Sequence, residues 1–299
     1  SSSDGHFPGA RPVVYPNDPS DATKVTPAGV PTVPGYTAHD PEGHVLTPGS
    51  SYQPSDPTKD TTITYTADQQ EGSVSYVDDT TGKTLKTDSI SGTTGSKSSY
   101  STSGSIADYK KQGYELVTDG YPADLTFDND DTTDQNFTVH LKHRLTPVNP
   151  TAPQTPGTPI NPEEPNGPKW PTSTNYDKTV NETISYVDQN KNAVAKQHTD
   201  SVNFTRTVVV DNVTGEVITS GAGTTAWTAT NGDTTFDAVV SPVVPGSVAD
   251  KAQTAAVTDL NADSADVNDT VTYTKVGSLV PSSSDGHFPG ARPVVYPND

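Results

Sequence analysis

The densest run of chemistry-bearing side chains is FDNDDTTD at 127–134, which sets Asp128, Asp130, Asp131 and Asp134 immediately before a strand-like stretch. Ca²⁺ takes six to eight oxygens from loops of this kind, so the four carboxylates form a candidate calcium site. The loop is not an EF-hand: counting from Asp128, the sixth position is Thr133 rather than Gly and the twelfth is Val139 rather than Glu. The competing reading is that Asp and Asn make turns here through their own side chains. HDPEGH, with His39, Asp40, Glu42 and His44, is a second candidate cation loop, set against an ordinary solvated turn. His140 and His143 lie three apart on a strand and point to opposite faces, so they cannot share an ion. Lys178 and Glu182 are conceivable members of a self-formed isopeptide bond, which needs a buried acid beside the lysine.

Catalytic patterns are missing. The sequence has no GxSxG elbow, HExxH, P-loop or dinucleotide fingerprint, and no cysteine to supply a thiolate or a disulfide. Carboxylate pairs carry little information in a chain with 37 acidic residues. The expectation is a protein that is not an enzyme and requires no cofactor, with structural Ca²⁺ the one ion entertained.

The elements that would position these residues read as mostly β with minor α. Between 68 and 144, Val74 and Tyr76 alternate with serines, DDTTGK supplies a turn, and Thr84–Ile90 resumes the strand. Ser105 to Asp108 resembles a capping box, Ile106 and Tyr109 share one helical face, and Gly113 supplies a left-handed stop. Tyr114–Val117 and the alternating Phe137–Leu141 complete two strands, one helix and two strands, the ubiquitin-like β-grasp layout.

Pro recurs at every third residue from 147 to 171. Polyproline II has three residues per turn, so 145–171 is expected to be an extended spacer rod. A larger β-rich domain is expected over 172–276, with strands at Thr183–Asp188, Val202–Asp211, Glu216–Thr219, Thr235–Val240 and Thr270–Lys275. Tyr186, Trp227 and Phe236 are its core anchors, and Val248–Ala256 is its one weak helix signal. Residues 1–67 read as a Pro-rich flanking segment, the trailing part of an adjoining unit, with edge strands at Val13–Tyr15 and Thr61–Ala67. Residues 277–299 read as the start of the next unit.

Residues 1–18 recur without change at 282–299, so the chain is cut from a tandem array and is expected to be an internal piece of a longer protein. VPTVPGYTA at 30–38 with DTTITYTA at 60–67 is similar to SPVVPGSVA at 241–249 with NDTVTYTK at 268–275. SVSYVDDTTGKTL at 73–85 likewise echoes TISYVDQNKNAVA at 183–195. Net charge is −19, which argues against nucleic acid and anionic membrane as partners, and with only 29% of residues hydrophobic the chain is expected to form small domains rather than one large core. No apolar run approaches the roughly 20 residues of a membrane span.

SYVDDTTGKTL, GYELVTDGYP, FDNDDTTDQNFTVHLKHR, NYDKTVNETISYVD, NFTRTVVVDNVTGEV and YPNDPSDATKVTPAGVPTVPGYTAHDPEGH resemble the mucus-binding (MucBP or Mub-type) repeats of Lactobacillus cell-surface adhesins. The resemblance covers nearly the whole chain. It implies an elongated, monomeric multidomain repeat, with a ubiquitin-like β-grasp domain followed by a larger β-rich domain. It implies an extracellular, wall-anchored protein of a Gram-positive bacterium whose partners are host mucin glycans and, for some repeats, immunoglobulins. A structural stalk is the alternative. The family offers no residue-level binding motif to transfer, so the contact residues stay unassigned. Tyr100, Tyr114 and Tyr121 are candidate contacts if exposed, against the reading that each packs in a core.

Overall fold

A computed structural model describes residues 12–286 and 290–299. It divides into two compact units, and the division falls between Arg144 and Leu145. The first eleven residues of the repeated segment lie outside the described part, as do 287–289.

In the first unit β1 (Ala28–Gly29) pairs with β4 (Ser51–Tyr52), and β2 (Tyr36–His39) lies between β3 (Val45–Leu46) and β5 (Thr64–Ala67). Val30, Val33, Ala38 and Tyr65 form their small core. The β-grasp follows. β6 (Gln69–Asp78) buries alternate residues, including Val74 and Tyr76, and turns at Gly82 into β7 (Lys83–Thr93). The helix α1 (Ser103–Lys111) buries Ile106 and stops at Gly113, whose φ of 98° only glycine adopts without strain. β8 (Tyr114–Asp119) and β9 (Gln135–His143) complete a sheet of order β7-β6-β9-β8, with β6 and β9 parallel at its centre. The helix starts two residues before the expected capping box. Thr102 is its N-cap, and the Thr102 hydroxyl donates to Asp119 at 2.6 Å instead of capping the helix.

The second unit opens with β10 (Leu145–Val148), followed by β11 (Asp177–Asp188), β12 (Ala193–Thr205), β13 (Val208–Asp211), β14 (Val217–Ile218) and β15 (Thr228–Ala229). Then come β16 (Ser247–Ala249), β17 (Val267–Lys275), β18 (Ser278–Leu279) and β19 (Val294–Val295). The sheets have orders β15-β12-β11-β17-β16, β10-β13-β14 and β18-β19.

The segment 145–171 is not a polyproline rod. β10 pairs with β13, and the chain beyond it folds back on itself. The Ile160 N–H donates to the Pro168 carbonyl at 3.0 Å, and the Trp170 N–H donates to Thr158 at 2.9 Å. Proline every third residue permits an extended helix, but proline also presets φ for turns, and the reversal falls at 161–167, where the Glu164 N–H donates to the Asn161 carbonyl and the Gly167 N–H to the Glu164 carbonyl, both at 2.9 Å. Burial decides between them. Val148 and Ile160 enter a core with Tyr176, Val208 and Val210, and Trp170 packs on it, which an extended spacer would leave in water. Pro147 is tolerated because β10 is an edge strand.

Other expectations shift locally. Val248–Ala256 forms the strand β16 and then a loop, not a helix, because Ser247–Ala249 extend the five-stranded sheet along β17. Val202–Asp211 is broken at Arg206–Thr207 into two strands of different sheets. Thr235–Val240 contributes isolated bridges at Phe236 and Val240 rather than a strand. Val13–Tyr15 forms no strand, whereas its copy places Val294–Val295 opposite Ser278–Leu279.

The two echoes in the sequence are equivalences in space. β11 and β17 run parallel at the centre of their sheet as β6 and β9 do, and Tyr186 lies opposite Val271 as Tyr76 lies opposite Val139. Ala38 pairs with Tyr65, and Ala249 pairs with Tyr273. The Tyr65 hydroxyl donates to the Pro31 carbonyl, and the Tyr273 hydroxyl donates to the Pro242 carbonyl.

Candidate functional site

Asp128 and Asp130 are engaged in the turn itself. Asp128 accepts the Asp130 N–H at 3.1 Å, and Asp130 accepts the Thr132 N–H and hydroxyl at 2.9 and 2.7 Å, which hold its carboxyl below the usual range. Asp131 turns away to accept the Gln70 amide at 2.5 Å, beside Asp68, whose carboxyl burial pushes up. No three of Asp128, Asp130, Asp131 and Asp134 bring ligand atoms to one point among the described residues. In the other loop Asp40 accepts the N–H groups of Glu42 and His44, both at 2.9 Å, and His39 is drawn off to Thr66. His140 and His143 do part to opposite sides: His140 meets Asp79 at 2.8 Å, and His143 meets Asp78 at 2.6 Å in the interior. Lys178 lies over the Trp227 ring and 3.4 Å from Asp263, so its ammonium is occupied there.

Of the three tyrosines, Tyr114 is a core residue, stacked edge-on between Tyr109 and His143. Tyr100 and Tyr121 are half-buried and meet edge-to-face at 5.3 Å. Tyr121 donates to Ser98, and Tyr100 donates to Asp88. Desolvation, with Tyr76 and Asp88 adding to it, pushes the Tyr100 hydroxyl far above its ordinary value, so it stays a neutral donor.

An open cleft of about 560 Å³ lies in the first unit between Pro12–Tyr15, Ala28–Pro31 and the 57–65 segment. Half-buried Tyr15 and Tyr52 are its accessible rings, Pro31 and Pro57 add rigid apolar walls, and Lys59, Asp60 and Thr61 supply polar atoms. The Tyr15 hydroxyl donates to Thr61, tying the repeated segment to the cleft wall. Flat amphipathic rings beside a few convergent polar groups suit a carbohydrate or peptide better than a small charged metabolite.

A separate cluster has its three ligand atoms within 4.8 Å of one another: Glu182, His198 and Asp200. Glu182 and Asp200 are direct cross-strand partners, and His198 is paired with Ile184 two residues along. Inward-facing residues repeat every second position on both strands, so all three share one face. Glu182 is 2% exposed and its Oε1 has no hydrogen-bond partner. Burial raises its pKa above 4.5, His198 opposes that, and Asp200 and Asp269 reinforce it. Glu182 alone was singled out in the sequence. The spacing His198-x-Asp200 placed two ligands on one strand face, but only the pairing of β11 with β12 brings Glu182 to them.

Two successive sheets, each built on a parallel central pair flanked by antiparallel strands and the first crossed by the β-grasp helix, define a β-rich repeat module. A family described as "Mucin binding domain" matches residues 70–143, and one described as "Muc B2-like domain" matches 171–277. Among solved structures, Mub-RV is 34% identical with a TM-score of 0.52, over 69% of this chain and 98% of that one. The type 2 repeat of the mucus binding protein MUB from Lactobacillus reuteri is 31% identical over 69% of this chain and 99% of its own, with a TM-score of 0.46. No curated protein matches the chain. The chain belongs to the Mub-type mucus-binding repeats, a family of extracellular adhesion modules of Gram-positive bacteria and not of enzymes.

Proposed function

We propose that this chain attaches a wall-anchored bacterial surface protein to host mucus by binding the glycans of mucin glycoproteins, many weak contacts being multiplied along a tandem array. The observation that carries this reading is the recurrence of residues 1–18 at 282–299 in a chain of mucus-binding family. Repetition converts each further contact into an intramolecular event and raises avidity without a new interface. The cleft beside Tyr15 and Tyr52 is the proposed seat, with ring faces against sugar and with Lys59, Asp60 and Thr61 within reach of hydroxyls.

Charge works against this binding at neutral pH. The chain carries −19, and mucin glycans bearing sialate or sulfate carry the same sign, so long-range steering is unfavourable. Affinity then rests on short-range contacts and strengthens as pH falls towards 4, where carboxylates with ordinary pKa values of about 3.9 and 4.3 lose charge.

The test is binding to immobilised mucin before and after sialidase or mild periodate, at pH 7 and pH 4. Loss after glycan treatment, with stronger binding at pH 4, supports the reading. Absence of binding to either surface at both pH values favours a stalk or an immunoglobulin-binding module instead.

A further inference from the structure

Glu182 interrupts an otherwise apolar inner face. On one side of it lie Val180, Val202 and Phe236, and on the other Ile184, Tyr186 and Val271. A carboxylate there, with one oxygen unpartnered, costs free energy unless something compensates it. Lys251 does not, because its ammonium is 2.8 Å from Asp269. His198 approaches, yet its Nε2 stops 3.6 Å from Glu182 Oε1, beyond hydrogen-bonding distance.

That separation suits a different partner. Zinc binds imidazole nitrogen and carboxylate oxygen at about 2.0–2.2 Å, so neighbouring donors around a tetrahedral ion stand roughly 3.3–3.5 Å apart. We propose that Glu182, His198 and Asp200 hold a divalent transition-metal ion of the zinc class, bound by one imidazole nitrogen and two carboxylate oxygens, with water in the remaining position. The donor set argues for this class over Ca²⁺ or Mg²⁺, which take oxygen ligands. Access fits as well: Glu182 closes the inner end of the site, while His198 is partly exposed and Asp200 is exposed, so an ion enters from solvent along β12. The ion neutralises the buried carboxylate and clamps β11 to β12. Because the ligands meet only in the folded sheet, its binding energy adds to folding stability.

The equivalent site in the first sheet is closed. Gly72 stands where Glu182 does, and Ile90, opposite it, replaces Asp200. One ion per chain is therefore expected from this site.

The experiment titrates Zn²⁺ into the full chain, stripped with chelator, by calorimetry and by thermal unfolding. The expected result is one saturable site and a raised melting temperature for the second unit. His198→Gln and Asp200→Asn, both at solvent-accessible positions, are each expected to weaken binding by at least the ~10–100-fold that loss of an outer-shell partner costs. His44→Gln, in the exposed loop, leaves it unchanged. Absence of saturable binding at millimolar Zn²⁺ overturns the proposal. So does unchanged affinity in both variants, or saturation of this site by Ca²⁺ but not by Zn²⁺.

Discussion

Glu182 and Gly72 occupy the same place in two sheets: each lies on the central strand at the first residue paired with its parallel neighbour, Gly72 opposite Gln135 and Glu182 opposite Val267. One position is filled with a buried acid and the other with no side chain at all. A Cβ on Gly72 would stand 2.3 Å from the Gln135 carbonyl oxygen and 3.0 Å from Ile90 Cγ1. Gly72→Ala is expected to destabilise the first unit by about 1–3 kcal/mol, the usual cost of overpacking a dense core. Denaturant unfolding of the full chain measures it, and a loss within error of zero would mean that β6 and β9 are not in this register.

Glu182 gives a pH signature. Burial, with Asp200 on β12 and Asp269 on β17 adding to it and His198 opposing, raises its pKa above 4.5. The folded state therefore holds this proton to higher pH than the unfolded chain does. Stability from this group falls as pH climbs from 4.5 through the folded-state value, then levels off. In chelator, Glu182→Gln removes that fall and leaves the protein more stable than the parent at pH 7. A variant that is less stable than the parent at pH 7 without metal would contradict this assignment.

The sheets were legible where side chains alternate. Val74, Tyr76, Phe137 and Val139 announce one strand face each, and the SYVD echo at 75–78 and 185–188 marks the same central strand twice. Glu182, His198 and Asp200 were not legible as a set, because sequence shows what one strand's face carries but not which strand lies beside it. The proline period at 147–171 misled for a related reason. Its spacing is a local statement, and the burial of Val148, Ile160 and Trp170 against Val208 and Val210 is a tertiary one.

The Asp78–His143 pair predicts a large local cost. Both side chains are almost wholly buried, and the Nε2–Oδ2 distance is 2.6 Å. Removing one member leaves a buried polar partner, so Asp78→Ala is expected to cost about 3–5 kcal/mol. The neighbouring pair of His140 and Asp79 is substantially exposed, and His140→Ala is expected to cost under about 0.5 kcal/mol. Melts of the two variants side by side check the contrast, and equal losses would contradict the burial that separates them.

The segment 145–171 can be told from a spacer by its contribution to folding. Ile160 is 7% exposed and belongs to the core that holds Val148, Tyr176, Val208 and Val210. Its backbone is pinned from the far side of the turn by the Pro168 carbonyl. Ile160→Ala deletes buried methylenes and leaves a cavity, and is expected to cost the second unit about 2–5 kcal/mol. The same packing shields the segment from proteases, because cleavage requires local opening that a folded core resists. In the parent protein, limited digestion is therefore expected to spare 149–171, and in Ile160→Ala to cut there early. A spacer would behave in the opposite way: it would be cut first in the parent, and the substitution would leave the melting temperature where it was.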